Sequence, residues 1–357
     1  MGERDSHHAG AGDLHGFVQR ALVALALVAL ALFLWRVLDV LLLIFGASLV
    51  ALMLRALADP IARRTRLPQT AALAIAVALV LAAIALAGWL FGSETAAQLN
   101  ELLQRLPAAW HALRERLAAN EFGAMVLEGV RGASANLGVV ALKLTQLTAA
   151  VSTAVIELLL VAFGGLYLAG NPDIYRRGLL KLLPAGTRPR VAGALDASAH
   201  ALRLWLLGQL VTMAAVGALT GLGLWLVGLP VPLALGLLAG LAEFIPYVGP
   251  ILAALPGLLI ALSVGPDAFW QALLVYLVVQ QIESNAIVPL VARQVLALPP
   301  ALAIFSVVAL GLVFGPLGLI FAAPLSVLLV VFVGRLYVRE TLGAAVTVPG
   351  EDAGRGG

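Results

Sequence analysis

Long, continuous apolar stretches separated by short basic loops make up most of this chain. The stretches cover residues 17–57, 70–91, 151–169, 202–227, 229–262, 267–289 and 298–338. An α-helix needs about 20 apolar residues to cross the hydrocarbon core, and most of these stretches have that length or more. Their apolar residues are continuous rather than alternating, which excludes a transmembrane β-barrel. The pattern therefore predicts an all-α, polytopic helical membrane protein with about eight membrane-crossing elements, including two broken helices or re-entrant hairpins.

Polar residues divide the chain into five segments. These are a tail at 1–16, transmembrane helices at 17–92, an extracytoplasmic amphipathic segment at 93–150, a transport core at 151–340 with a basic segment at 171–200, and a second tail at 341–357. Placing the arginine-rich short loops inside follows the positive-inside rule. Both termini are then cytoplasmic, and the amphipathic segment lies outside.

Two features of the first half carry specific expectations. The stretch at 17–57 is interpreted as a tight helical pair interrupted near Trp35–Asp39. The outer segment carries leucines at helical spacing around Pro107, which predicts an amphipathic helix lying on the membrane or on the transporter body.

Composition supports the membrane assignment. The chain is 62% hydrophobic and 11% charged, with a mean hydropathy of +1.03, whereas soluble domains are about 25% charged. The net charge of +3 comes from basic residues beside apolar stretches, which is a topology signal rather than a nucleic-acid signature. Cysteine is absent, which excludes disulfides and thiolate chemistry. The expected partners are the lipid bilayer and a small-molecule substrate, without nucleic acid, in a homo-oligomer of unspecified order.

The stretch 229–262 is the strongest candidate for a functional element. It contains one carboxylate, Glu243, followed closely by Pro246, Gly249 and Pro250. Proline inside a helix removes a backbone hydrogen bond, and the freed carbonyl groups are tolerated at membrane depth only beside protein or a wet cavity. The sequence therefore predicts a broken helix or hairpin whose tip is a transport site.

A second interrupted stretch echoes the first. Residues 298–338 also begin with a Leu-Pro pair and reach a Gly-Pro pair, Gly315–Pro316, followed by a further proline. Paired interrupted hydrophobic segments are the best sequence indication of a secondary-transporter binding site.

Polar groups at membrane depth are the candidate working groups, because each one needs a cavity or a partner there. The set consists of Glu243, Gln280, Gln281, Glu283 and Asn285. For Glu283, pairing with Arg293 at the membrane interface is an equal alternative. For Glu243, a structural hydrogen bond is the alternative to exchange of a proton or cation.

Arg203 and Gln209 lie on roughly one side of their helix. They are candidates for coupling or gating, and a structural clamp between Arg203 and an acidic residue of an inner loop is the alternative.

Motifs for other chemistries are absent. The chain has no phosphate-binding loop of the Walker type, no H-E-x-x-H and no G-x-S-x-G, so we expect no enzyme and no ATP hydrolysis. No metal or cofactor is expected, although a proton or a sodium ion would serve a gradient-driven carrier.

Four stretches resemble the autoinducer-2 exporter family of bacterial membrane proteins. They lie at 176–210, 241–252, 280–300 and 314–325, and the most specific are IPYVGP and IESNAIVP. One departure is Pro299–Pro300, where the family often has histidine before proline. The resemblance implies export of a small molecule from the bacterial inner membrane, with autoinducer-2 for some members and sodium–proton exchange for others. The expected function is a secondary exporter of a small polar signal or metabolite. A cation–proton antiporter and a non-transporting scaffold are the alternatives.

Overall fold

The computed structural model describes residues 9–118, 156–292 and 299–339, and it is helical throughout these ranges apart from short turns. Ten α-helices are described. They are α1 (Ala9–Thr65), α2 (Gln69–Ala118), α3 (Ile156–Gly170), α4 (Pro172–Lys181), α5 (Arg188–Leu226), α6 (Pro232–Ala242), α7 (Val248–Val264), α8 (Pro266–Ile282), α9 (Val288–Ala292) and α10 (Pro300–Phe332). Two π-helical turns, Glu283–Ile287 and Val333–Arg339, follow α8 and α10.

Five helices of the described ranges are long and apolar enough to cross a membrane, and a sixth span results if α3 and α4, bent by 88°, count as one. Helices α6 and α7 are apolar but shorter, with 11 and 17 residues. The expectation of a polytopic, all-α membrane protein is confirmed.

The N-terminal helix differs from the expectation of a helical pair. Helix α1 runs without a break through Trp35–Asp39. Arginine and aspartate are tolerated inside a helix, and neither glycine nor proline occurs at this point, so nothing there ends the helix.

Helix α2 also continues beyond its apolar part, and its C-terminal portion rests on the protein body. Leu102 is buried among residues of α5, α6, α7 and α8. The Gln98 Oε1 atom accepts hydrogen bonds from the backbone N–H groups of Leu233 and Ala234, at 2.9 and 3.3 Å. These contacts attach the C-terminal part of α2 to the beginning of α6.

Helices α6 and α7 form a hairpin that packs closely against α5. A Cβ atom at Gly236 would lie 2.7 Å from the Gly217 carbonyl oxygen, and one at Gly240 would lie 2.7 Å from the Met213 carbonyl oxygen. Gly217 and Gly221 on α5 thus face Gly236 and Gly240 on α6, and this small-residue contact lets the two backbones touch. The close packing fixes the depth of the hairpin tip in the helix bundle.

The largest buried cluster among the described residues, here called the Trp205 cluster, joins α1, α5 and α10. It consists of Leu42, Leu49, Ala197, Ala201, Leu202, Trp205, Leu206, Phe321, Ala323, Val327 and Val331. Phe244 from the α6–α7 hairpin and Phe314 from α10 both pack against it. The two interrupted stretches therefore converge on one core.

Candidate functional site

The tip of the α6–α7 hairpin is a tight non-helical turn. Its backbone is held by the Ile245 N–H donating to the Ala242 carbonyl at 2.9 Å, and by the Gly249 N–H donating to the Ile245 carbonyl at 2.8 Å. Tyr247 has a φ of 65°, a left-handed conformation that non-glycine residues adopt rarely. Such backbone conformations are concentrated at functional sites.

Gly249 makes this turn possible. Any side chain at Gly249 would overlap the Ala242 carbonyl oxygen, because the two arms of the turn approach each other there. Its φ is not in the left-handed region, so close approach, rather than backbone conformation, requires glycine. Pro246 lies inside the turn, where its carbonyl accepts a hydrogen bond from Val248 N–H at 2.8 Å, and Pro250 lies in the first turn of α7.

Two carboxyl groups meet beside this tip. Glu243, at the end of α6, is 4% exposed, and Glu283, at the end of α8, is 9% exposed. They are the buried acidic residues of the described ranges, and their carboxyl groups lie within hydrogen-bonding reach of each other. A hydrogen bond between two carboxyl groups requires a proton on one of them. The pair is therefore a candidate site for holding a proton.

The two carboxyl groups differ in the hydrogen bonds that they make with other residues. The Glu243 Oε2 atom is buried and has no hydrogen-bond partner among the described residues. The Glu283 Oε2 atom accepts a hydrogen bond from Gln280 Nε2 at 2.8 Å. A buried polar atom without a partner is uncommon in proteins and needs an explanation, such as a functional role or a bound water or ion.

A π-helical turn positions Glu283. It begins at Glu283 and ends at Ile287, between α8 and α9. A π turn inserts an extra residue into each turn and shifts the faces that follow it, and such turns occur frequently at functional sites. Asn285, inside the turn, donates to the Gln281 carbonyl at 3.0 Å and to Gln281 Oε1 at 2.8 Å. Both of these side chains are exposed on the chain's surface, away from the buried pair.

Gln209 on α5 holds the tip from the other side. Its Nε2 atom donates to the Glu243 backbone carbonyl at 2.8 Å. The ring of Phe244 meets Trp205 of α5 edge to face, with centroids 5.9 Å apart. The residue that supplies one carboxyl group is thus fixed to α5 by a hydrogen bond and by its aromatic neighbour.

Comparison with known proteins identifies the family. Residues 22–337 match the model of the AI-2E family transporters. The chain belongs to the AI-2E transporter family. Its relatives in this family are transport proteins and permeases, and the chain is a multi-pass membrane protein of this bacterial transporter family.

Three relatives illustrate the range of similarity within the AI-2E family. The AI-2 transport protein TqsA of Escherichia coli is 27% identical over 314 residues, covering 83% of this chain and 85% of TqsA. The putative transport protein YrrI of Bacillus subtilis is 29% identical over 163 residues, or 46% of each chain. The putative transport protein YueF of the same organism is 32% identical over 145 residues, or 41% of this chain and 39% of YueF. The matches to YrrI and YueF thus span less than half of those proteins.

The second interrupted stretch of this AI-2E family member also has a break at its Gly-Pro pair. Gly315 has φ 60° and ψ −140°, and Pro316 follows it. At Gly318 a side chain would overlap the Leu310 carbonyl oxygen. Gly318 thus plays the part in α10 that Gly249 plays in the hairpin, whereas Gly315, the glycine of the Gly-Pro pair, meets no atom within 4 Å and is required by its positive φ instead.

Arg203 lies in a different place from the carboxyl pair. Its Nη1 atom is 3.2 Å from Asp59 Oδ2, and its Nη2 atom donates to the Ala56 carbonyl at 3.1 Å. These bonds join α5 to α1 in the manner of a structural clamp, whereas Gln209 contacts the tip.

The sequence placed Glu243 and Glu283 among the candidates but did not predict that they meet. It named Gln280, Gln281 and Asn285 together, and the structure brings only Gln280 of these to Glu283. The signal that could have separated them is helical spacing, because Gln280 and Glu283 lie three residues apart on one face. Arg293, the alternative partner of Glu283, lies outside the described residues.

Proposed function

We propose that this transporter exports a small polar molecule across the bacterial inner membrane and that proton exchange at Glu243 and Glu283 drives it. The buried carboxyl pair at the hairpin tip carries this proposal. A charged side chain at the bilayer centre costs about 2.5–3.5 kcal/mol on insertion scales, so two buried acids in an apolar protein favour a functional role. The absence of a nucleotide-binding motif from the sequence favours a gradient as the energy source.

The architecture around the pair supports transport. Two interrupted helices, the α6–α7 hairpin and α10, converge on the Trp205 cluster. Secondary transporters place their substrate and coupling-ion sites where such interrupted helices meet. TqsA is an AI-2 transport protein, and for this chain we propose an autoinducer-2-like signal or a metabolite of similar size and polarity.

The proposed orientation places the basic side of the helix bundle in the cytoplasm. Because α1 is one continuous helix rather than a pair, its beginning then lies on the opposite side of the membrane from its basic end, and the expectation of two cytoplasmic termini is not kept. The arginine-rich ends of α1 and α4 are then inside, in line with the positive-inside rule. Gln98 and Leu102 of α2 contact the beginning of α6, so the outer part of α2 and the open end of the hairpin lie on the same side. The hairpin accordingly enters from outside and points its tip, with the carboxyl pair, toward the cytoplasm.

Reconstituted proteoliposomes test this function. Autoinducer-2 is added outside in sodium-free buffer, and a pH-sensitive dye reports the lumen. We expect autoinducer-2 entry to be accompanied by proton exit, so the lumen becomes more alkaline, while protein-free vesicles show no change. Proton movement that requires sodium and not autoinducer-2 would contradict the proposal and support a cation–proton antiporter. Absence of both responses would also contradict it.

A further inference from the structure

One face of α8 is polar over two helical turns. Tyr276, Gln280 and Glu283 are spaced by four and three residues, so their side chains lie on the same side of the helix. These three residues are here called the α8 polar face. Its end at Glu283 meets Glu243, and Gln280 connects to Glu283 through the 2.8 Å hydrogen bond. Tyr276 lies about 10 Å farther along, toward the beginning of α8.

The Tyr276 hydroxyl is buried and has no hydrogen-bond partner among the described residues. It lies directly against Gly257 of α7, where any side chain would overlap it. A buried hydroxyl without a partner destabilises the fold unless something else compensates. A phenylalanine would fill the same space without this penalty, so packing alone does not explain the hydroxyl.

The α8 polar face runs along a contact between α7 and α8. Tyr276 lies against Gly257, and Val279 packs with Ala253 in a buried cluster that also includes Val216 and Ala239. The α7 side of this contact thus consists of small residues. At its inner end, the unpartnered Oε2 atom of Glu243 marks a second polar group that needs a ligand.

We propose that the α8 polar face is the path of the transported molecule from the carboxyl pair toward the outside, and that the Tyr276 hydroxyl binds it on the way. A phenol, an amide and a carboxyl group offer hydrogen bonds without a fixed positive charge. They therefore suit a neutral, hydroxyl-bearing solute better than an anion. This inference rests on the proposed function, because it assigns the path of the exported molecule.

Tyr276→Phe removes the hydroxyl and nothing else. If the hydroxyl binds the transported molecule, autoinducer-2 flux in proteoliposomes should fall roughly five- to tenfold, which corresponds to the loss of one hydrogen bond. The midpoint of thermal unfolding should stay the same or rise, because an unpartnered buried hydroxyl is gone. Tyr167→Phe is the matched control, since Tyr167 is 72% exposed on α3 and its flux should equal that of the parent. Unchanged flux in Tyr276→Phe would overturn the proposal.

Cysteine accessibility tests the path without any substrate. The parent chain has no cysteine, so Tyr276→Cys and Gln280→Cys can be exposed singly to a small, charged thiosulfonate reagent. Both should be modified, because a path for polar solutes admits water, while Leu274→Cys on the exposed apolar side of α8 should not. If Tyr276→Cys and Gln280→Cys were modified no more than Leu274→Cys, the proposed path would be wrong. Modification without autoinducer-2 flux in the parent would support the path and contradict the proposed substrate.

Discussion

The carboxyl group of Glu283 lies within hydrogen-bonding reach of that of Glu243, although the two residues belong to different helices. The contact depends on two local irregularities. The hairpin turn ends α6 at Glu243, and the π-helical turn begins at Glu283. Both carboxyl groups thus lie where the regular α-helical backbone ends.

Contact between the carboxyl groups predicts non-additive effects on stability. Residues in contact show interaction energies of about 0.5–3 kcal/mol in double-mutant cycles. We expect Glu243→Ala and Glu283→Ala to be coupled by an amount in this range when unfolding is measured in detergent. Glu243→Ala combined with Glu157→Ala on α3 is the control and should be additive. Additivity in both cycles would contradict the pairing.

The close approach of Gly249 to the Ala242 carbonyl allows a steric test of the hairpin tip. Gly249→Ala places a methyl group on the Ala242 carbonyl, so the turn must open and autoinducer-2 flux should fall at least tenfold. Gly265→Ala, at the other end of α7, meets no atom within 4 Å and should retain parental flux. Both variants should insert into membranes, as protease protection of the vesicle-embedded protein would show. Parental flux in Gly249→Ala would make the tip an ordinary loop.

The breaks at the hairpin tip and in α10 were predictable because proline and glycine residues occur in the sequence at those places. Pro246 and Gly249 marked the hairpin tip, and Pro316 marked the break in α10. Where no such residue was present, the prediction of a break at Trp35–Asp39 was wrong, since polar side chains alone do not end a helix. Local sequence is informative where the physical cause is local.

The partners inside the site were not predictable in the same way. Helical spacing favours Gln280 as the neighbour of Glu283, but it does not show that the π turn leaves Gln281 and Asn285 exposed and hydrogen-bonded to each other. The contact of Glu283 with Glu243 depends on how α8 packs against the hairpin. That packing is set by small residues at distant positions, such as Gly236 against Gly217.

The contacts of Gln98 predict that the C-terminal part of α2 contributes to the free energy of unfolding. Its Oε1 atom caps the beginning of α6 by accepting from Leu233 and Ala234. Removing a helix cap costs about 0.5–2 kcal/mol. We expect Gln98→Ala to lower unfolding free energy by this amount, while Gln104→Ala, at an exposed position of the same helix, leaves it unchanged. Equal stability of the two variants would show that the cap does not hold the hairpin.

The orientation predicts a labelling pattern. In intact cells, a membrane-impermeant thiol reagent should modify Gln104→Cys on α2 from outside. Thr187→Cys, in the loop before α5, should be modified only after the cells are opened. Both positions are exposed in the structure, so accessibility within the protein does not limit either reaction. The reverse pattern would invert the proposed direction of the hairpin.

The most direct test of proton coupling is to compare net flux with exchange in Glu243→Gln. Glutamine keeps the size and hydrogen bonding of the side chain but cannot take up or release the proton that a carboxyl group exchanges. Autoinducer-2 flux driven by a pH gradient should be lost, while exchange of labelled for unlabelled autoinducer-2 without a gradient should continue. The matched control is Glu157→Gln, an acid on α3, which should retain both activities. Gradient-driven flux at the parental rate in Glu243→Gln would contradict the account, because the carboxyl pair would then not be the group that couples protons to export.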